Sequence, residues 1–111
     1  MHQWSFNLYD DEIIKIHQSN GLIGIMLEDT RLGGKEAVKS IKKSINGSQQ
    51  HKDEYIKLFL ASPLHIAKVV GQASAWDIIA LGSDFDGAIN PMDSYKDASR
   101  MQETRSDIID F

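Results

Sequence analysis

The chain has 111 residues, which is enough for one domain of ordinary size. It carries 12 Lys and Arg against 16 Asp and Glu, and this net charge of -4 argues against nucleic acid as a partner. It has no cysteine, which excludes disulfide frameworks, cysteine zinc sites and thiol catalysis. We expect no membrane-spanning segment, because no apolar run is long enough. The lack of cysteine and of a signal-peptide pattern slightly favours a cytoplasmic location.

The first part of the chain is predicted to form a helix followed by a buried strand. Negative charge from Asp10 onward is favourable at a helix start, and Asp10 or Asn7 is expected to supply the capping oxygen. Asn20 and Gly21 form a stop signal for this helix. The apolar run over 22–27 shows no polar alternation, which predicts a strand buried on both faces, as in a parallel sheet.

Two helices are predicted next. A flexible turn over 32–34 precedes an amphipathic helix over 35–46, whose lysines are most simply a solvated face. A longer helix is predicted over 52–70. Since Ser62 and Pro63 can act as a cap followed by a first-turn proline, we expect this helix to break or kink at Pro63.

A second buried strand is predicted over 78–81, and it leads directly into a segment rich in glycine and aspartate, Gly82–Gly87. A final helix is predicted to start near Ser99. Two buried strands separated by helices imply parallel pairing with a right-handed crossover. Because two parallel strands cannot form a sheet that is covered on both faces, the sequence is expected to be part of a larger α/β sheet.

Asp84 and Asp86 carry the strongest functional signal in the sequence. They directly follow a strand, and the active sites of parallel α/β folds lie at the carboxyl ends of the strands. A carboxylate held there can accept a proton, bind an ammonium group or ligate a metal. The alternative is a structural turn, in which both aspartates accept hydrogen bonds from nearby backbone amides.

Other candidate groups carry weaker signals. Glu28 and Asp29 follow the first strand in the same way; we expect a solvated loop there, with a position in the same pocket as the alternative. A packing role is expected for the histidines that lie within helices. None of the histidines has the spacing of a metal-ligand motif: His2, His17, His51 and His65.

The stretch Ala80–Gly87 resembles the last barrel strand of the renal-type membrane dipeptidases, the M19 metallopeptidase family of the amidohydrolase superfamily. Upstream, 7–13 and 20–25 are similar to that family's helix and seventh strand. The resemblance implies that residues 1–111 are the C-terminal portion of a (β/α)8 TIM barrel, about strands 7 and 8 with their helices. The segment 28–31 differs from the aromatic, asparagine-rich loop of the mammalian enzymes, which leaves the substrate preference open.

The resemblance also implies an activity. In this family two zinc ions, bridged by a water or hydroxide, activate that water to attack the peptide bond of a dipeptide. The family's metal ligands precede the part that this chain resembles, so no metal ligand is assigned and the chain alone is expected to be inactive. By resemblance, Asp84 is the catalytic residue, which shuttles the proton of the bridging water and contacts the substrate's amino terminus. Asp86 is a second substrate-binding candidate.

Two other hypotheses stay open. The chain could be a small self-standing α/β module for binding or regulation without catalysis, or a separate chain could supply the missing barrel strands. The genomic sequence immediately upstream distinguishes these hypotheses. An HxD pair and two spaced histidines encoded there would support a barrel fragment, whereas an independent promoter without such a sequence would favour the module.

Overall fold

The computed structural model describes residues 7–43, 48–83, 87 and 91–111. Within these ranges the elements are, in chain order, α1 (Asp10–Gln18), β1 (Ile23–Met26), α2 (Asp29–Ile41), α3 (Gln49–Val70), β2 (Ile79–Ser83) and α4 (Met101–Asp110). Short 3-10 helices, Ala73–Ile78 and Ala98–Arg100, precede β2 and α4. The strands pair in parallel, which confirms the predicted α/β order and pairing.

The sheet is covered on one face. Ile23 and Ile25 of β1 are buried in the apolar core, whereas Gly24 between them is exposed. No residue of β2 is fully buried, and two of its five residues are exposed. The prediction that both strands are buried on both faces is therefore wrong for the described part of the chain.

The centre of the core is α3, which contacts β1 and each of α1, α2 and α4. Tyr55, Ile56 and Ile66 of this helix are buried and share one apolar cluster with Ile13 of α1 and Ile78 before β2. Complete burial of a large apolar side chain contributes roughly 1.5–3 kcal/mol. The long helix therefore holds the other elements in their positions.

The helix α3 is continuous, so the predicted break at Pro63 is wrong. The Ser48 side chain caps its start by accepting a hydrogen bond from the His51 backbone amide at 3.2 Å. The helix ends at Val70, the predicted last residue, and Gly71 follows it in the left-handed conformation. Pro63 itself is buried within the helix, where it supplies no backbone donor. Neither α3 nor any other helix in the described ranges is long and apolar enough to cross a bilayer.

The start of α1 differs in one detail from the prediction. Its N-cap is Tyr9, whose backbone amide donates to the Glu12 carboxylate at 2.8 Å. The N-cap is therefore neither of the predicted residues, and Asp10 is the first residue of the helix. The Asn7 side chain instead donates to the Arg31 carbonyl at 3.1 Å, which ties the chain before α1 to the first turn of α2.

The helix α2 begins earlier than the sequence predicts, at Asp29, three residues after the end of β1. The helix consists of two helical segments separated by a kink at Gly34, whose φ of 76° favours glycine. The predicted turn at the glycine pair is therefore confirmed at Gly34, and the segment that follows it is the predicted helix from Lys35. The described helix ends at Ile41. The predicted stop at 46–47 lies outside the described residues. As a result, the first turn of α2 adjoins the carboxyl end of the sheet.

The final helix predicted near Ser99 is confirmed as α4 with its preceding 3-10 turn. It is joined to α3 by Lys52, whose ammonium group contacts the carboxylates of Glu103 and Asp107. Arg100 also donates to Glu103, at 2.9 Å. The C-terminal helix is therefore held to the start of α3 by a network of charges rather than by apolar contact alone.

Candidate functional site at the carboxyl end of the sheet

The carboxyl ends of the two strands lie side by side because the strands are parallel. The chain leaves β1 through Leu27, whose backbone amide donates to the carbonyl of Ser83, the last residue of β2, at 3.1 Å. The predicted site residues Asp84 and Asp86 lie outside the described residues. We call residues 84–86 the acidic segment. Since Asp84 is the next residue after Ser83, the position of this strand end determines where the acidic segment begins.

After the acidic segment the chain returns to the same place. The Met92 amide donates to the Leu27 carbonyl at 3.0 Å, and Pro91 forms an isolated antiparallel bridge with Glu28. Leu27 therefore bonds to Ser83 before the segment and to Met92 after it. Both Leu27 and Met92 are buried, which shields these hydrogen bonds from water. One residue thus fixes both ends of the segment that contains the predicted site.

The end of β2 is conformationally unusual. Ser83 has a φ of 28°, in a region that residues with a Cβ rarely adopt, and it lies opposite Met26, where the strand register shifts. One residue earlier, a Cβ at Gly82 would lie 3.1 Å from backbone carbons of Gly24 on the neighbouring strand. Strained backbone is often found at functional sites, and here it directly precedes Asp84.

Glu28 and Asp29 are buried, so the expected solvated loop is wrong. Glu28 pairs with Arg31, whose Nε lies 2.7 Å from the carboxylate. Asp29 is fully buried, with one carboxylate oxygen 3.4 Å from the Lys42 ammonium, and neither oxygen makes a hydrogen bond within the described part of the chain. Burial raises the pKa of Asp29, and the charge of Lys42 opposes this effect.

Two buried polar side chains of α3 contact residues 91–94, which we call the returning segment. The Nδ1 atom of buried His51 lies 3.3 Å from the Ser94 hydroxyl, and its Nε2 lies 3.9 Å from the Asp93 carboxylate. The Tyr55 hydroxyl donates to the same Asp93 oxygen at 3.4 Å. Burial, followed by the charges of Asp93 and Asp29, raises the pKa of Tyr55, so its hydroxyl stays protonated. We call His51, Tyr55, Asp93 and Ser94 the α3 clamp.

Sequence reasoning missed the α3 clamp. It treated His51 only as one of four histidines without metal-ligand spacing, and it assigned no role to Asp93. The available signal was the spacing of His51 and Tyr55, which are four residues apart and therefore share one face of the helix. In the structure their rings contact edge to face, with centroids 4.8 Å apart. The contact with Asp93 depends on tertiary structure and has no local signal.

The histidines at the surface have structural contacts. His17 hydrogen-bonds to the Ser74 hydroxyl at 2.9 Å, and His65 to the Asp10 carboxylate at 2.7 Å, so each joins its helix to another part of the chain. His2 lies outside the described residues. Across the ranges that the structure describes, no three His, Asp or Glu side chains are grouped so that they could hold a metal ion.

Comparison with protein-family models finds a match over nearly the whole chain. The model of the membrane dipeptidase family, peptidase family M19, matches residues 1–110. No curated protein and no solved structure matches the chain. The matched range includes both strand ends, the acidic segment, the returning segment and the α3 clamp.

Proposed function

The chain belongs to the membrane dipeptidase family, peptidase family M19, and we propose that it forms the C-terminal part of a zinc-dependent dipeptidase barrel, about strands 7 and 8 with their helices. The observation that carries this proposal is the family match over residues 1–110. The substrate would be a dipeptide, and the preceding barrel strands would be needed for a complete fold and for activity.

The form of the sheet supports the barrel assignment. In a (β/α)8 barrel the helices cover the outer face of the strands, and side chains from all strands fill the interior. Here Ile23 and Ile25 pack under the helices, while the exposed Gly24 and Gly82 approach each other across the two strands. One covered face and one open face are what two neighbouring barrel strands present without the remaining strands.

Asp84 is the proposed catalytic residue. It follows the end of β2, and the active sites of such barrels lie at the carboxyl ends of the strands. Its carboxylate would take a proton from the attacking water, deliver it to the leaving amine, and contact the ammonium group of the substrate. Asp86, two residues further along, is proposed as a second substrate-binding group.

Zinc would supply Lewis-acid activation of the attacking water in the complete enzyme. The described residues of this chain do not fit a zinc site. A catalytic zinc ion needs about three protein ligands, and no such group of His, Asp or Glu occurs within the described ranges. By the family resemblance we assign the zinc ligands to the preceding part of the barrel, and we assign no metal-dependent step to the residues described here.

The test is a comparison of the two aspartates in the complete barrel. Asn has nearly the shape of Asp but cannot accept the proton, so Asp84→Asn should lower kcat by ~10²–10⁴ and leave the metal content unchanged. Asp86→Asn should cost much less. The matched control is Asp97→Asn, because Asp97 is exposed and caps a 3-10 turn. A larger loss from Asp86→Asn would reverse the two roles. No loss from either would make the segment structural.

A further inference from the structure

We propose that His51 and Tyr55 are positioning residues for the reaction: acting through Asp93, they hold residues 91–94 against Leu27 at the carboxyl end of the sheet, where the proposed active site lies. The inference rests on the proposed dipeptidase function and deepens it. It assigns a positioning role to residues of α3, a helix that sequence reasoning treated only as packing.

The clamp holds Asp93, the residue that follows the hydrogen bond from Met92 to Leu27. Met92 bonds to the Leu27 carbonyl, and Asp93 is the next residue in the chain. The Asp93 carboxylate is contacted from α3 by Tyr55 at 3.4 Å and by His51 at 3.9 Å, while Lys96 lies 3.6 Å from its other oxygen. A carboxylate held by several groups restrains Asp93, the residue that follows Met92 in the chain.

The polarity of the clamp supports a role beyond stability. His51 and Tyr55 are at most 1% exposed, and burying polar groups costs free energy unless they are well paired. Apolar side chains at these positions would hold α3 against the core without that cost. Hydrogen bonds are directional, however, so they fix the orientation of the returning segment, which apolar contact does not.

A second buried tyrosine provides a matched control. Tyr95 is buried as completely as Tyr55 and also donates its hydroxyl to a carboxylate. Its partner is Asp107 on α4, at 2.8 Å, rather than a group beside Leu27. Removing either hydroxyl as Tyr→Phe makes the same chemical change at the same degree of burial. Only Tyr55→Phe removes a contact of the clamp.

The first arm of the experiment measures catalysis in the complete dipeptidase. A small displacement of a reacting group lowers the rate of the chemical step, so Tyr55→Phe should lower kcat by ~10-fold, with KM and metal content nearly unchanged. Tyr95→Phe should leave kcat within about twofold of the unsubstituted enzyme, because its hydroxyl contacts Asp107 of α4 and no group of the clamp. His51→Gln, which keeps hydrogen-bonding groups, should retain more of kcat than His51→Leu. Equal losses of kcat in both tyrosine variants would overturn the proposal.

The second arm needs no activity. Amide hydrogen exchange in the same protein should accelerate at Met92, whose amide donates to the Leu27 carbonyl, in Tyr55→Phe and stay unchanged there in Tyr95→Phe. If the unsubstituted protein hydrolyses no dipeptide, the proposed function fails, and the exchange pattern still decides whether the clamp holds the returning segment. Exchange that changes equally in both variants, or in neither, would refute the clamp.

Discussion

The two ends of the parallel sheet use polar groups differently. At the amino end, His17 and Ser74 meet in an open cleft of about 560 Å³, beside the exposed Leu22. At the carboxyl end the polar side chains are buried, and they come from three separate parts of the chain: Glu28, Asp29, His51, Tyr55 and Asp93, of which Asp93 is only partly buried. Buried polar groups cost free energy unless they are well paired, so the carboxyl end carries a cost that the amino end does not. This difference is what the proposed positioning role of the carboxyl end would explain.

The largest change in stability is expected at a buried position of β1, and an exposed position next to β1 should show almost none. In the complete barrel, Ile25→Ala should lower the free energy of unfolding by about 2–5 kcal/mol, because it leaves a cavity in the core. Leu22→Ala is the matched control; its side chain is 71% exposed, and the change should be within about 0.5 kcal/mol. Urea unfolding measures both. Similar losses would mean that the amino end is buried against strands absent from the described chain.

The buried carboxylate at the carboxyl end should make stability depend on pH. Burial raises the pKa of Asp29 above its ordinary value of 3.8, so the folded state binds this proton more tightly than the unfolded state. The contribution of Asp29 to stability therefore falls as pH rises from about 4 through the raised pKa. Asp29→Asn should raise stability at pH 7 by about 1–2 kcal/mol and leave it nearly unchanged below pH 4.

Thermal unfolding across this pH range, with Asp10→Asn as the control, checks the prediction for Asp29. Asp10 is exposed and pairs with His65 at the surface, so its substitution should slightly lower stability at neutral pH. If Asp29→Asn lowers stability at pH 7, the Lys42 contact outweighs the cost of burying the charge.

The smallest effect concerns the strained end of β2. Ser83 has a positive φ, so Ser83→Gly should relieve about 1–2 kcal/mol of strain. The gain is reduced by the greater freedom of glycine in the unfolded chain, which leaves roughly 0.5 kcal/mol of stabilisation. The converse change is Gly71→Ala, at a φ of 70° with no neighbouring atoms to clash, and it should destabilise. A loss of stability in Ser83→Gly would mean that the serine side chain is needed at the strand end.

The secondary structure was largely predictable because its signals are local. The acidic start of α1, the stop signal after it at Asn20 and Gly21, and the apolar strand sequences lie within a few residues of the features they determine. The parallel pairing also followed, because helices separate two apolar strands. The break predicted at Pro63 was wrong, because whether a helix continues through a proline depends on its packing with other elements.

The candidate site was predictable only in part. The order of strand, glycine and aspartate indicates Asp84 from the sequence, and that assignment stays a prediction because the residue lies outside the described ranges. The burial of Asp29 and the contact of Tyr55 with Asp93 involve residues far apart in the chain. The periodic spacing of residues within a single helix or strand cannot predict such contacts. Charged residues directly after a strand, such as Glu28 and Asp29, are typical of a solvated loop, and their burial becomes evident only from the tertiary structure.

The central claim is that this chain is part of a barrel rather than a self-standing domain. The exposed apolar side chains on its surface include Leu22, Leu64 and Ile109, and the sheet has one uncovered face. Such surfaces favour association or loose packing in isolation. Thermal unfolding of the isolated 111-residue chain, combined with sedimentation, tests the claim directly. We expect association and no sharp transition; a monomer with a sharp, cooperative transition would contradict the claim and establish a self-standing α/β module.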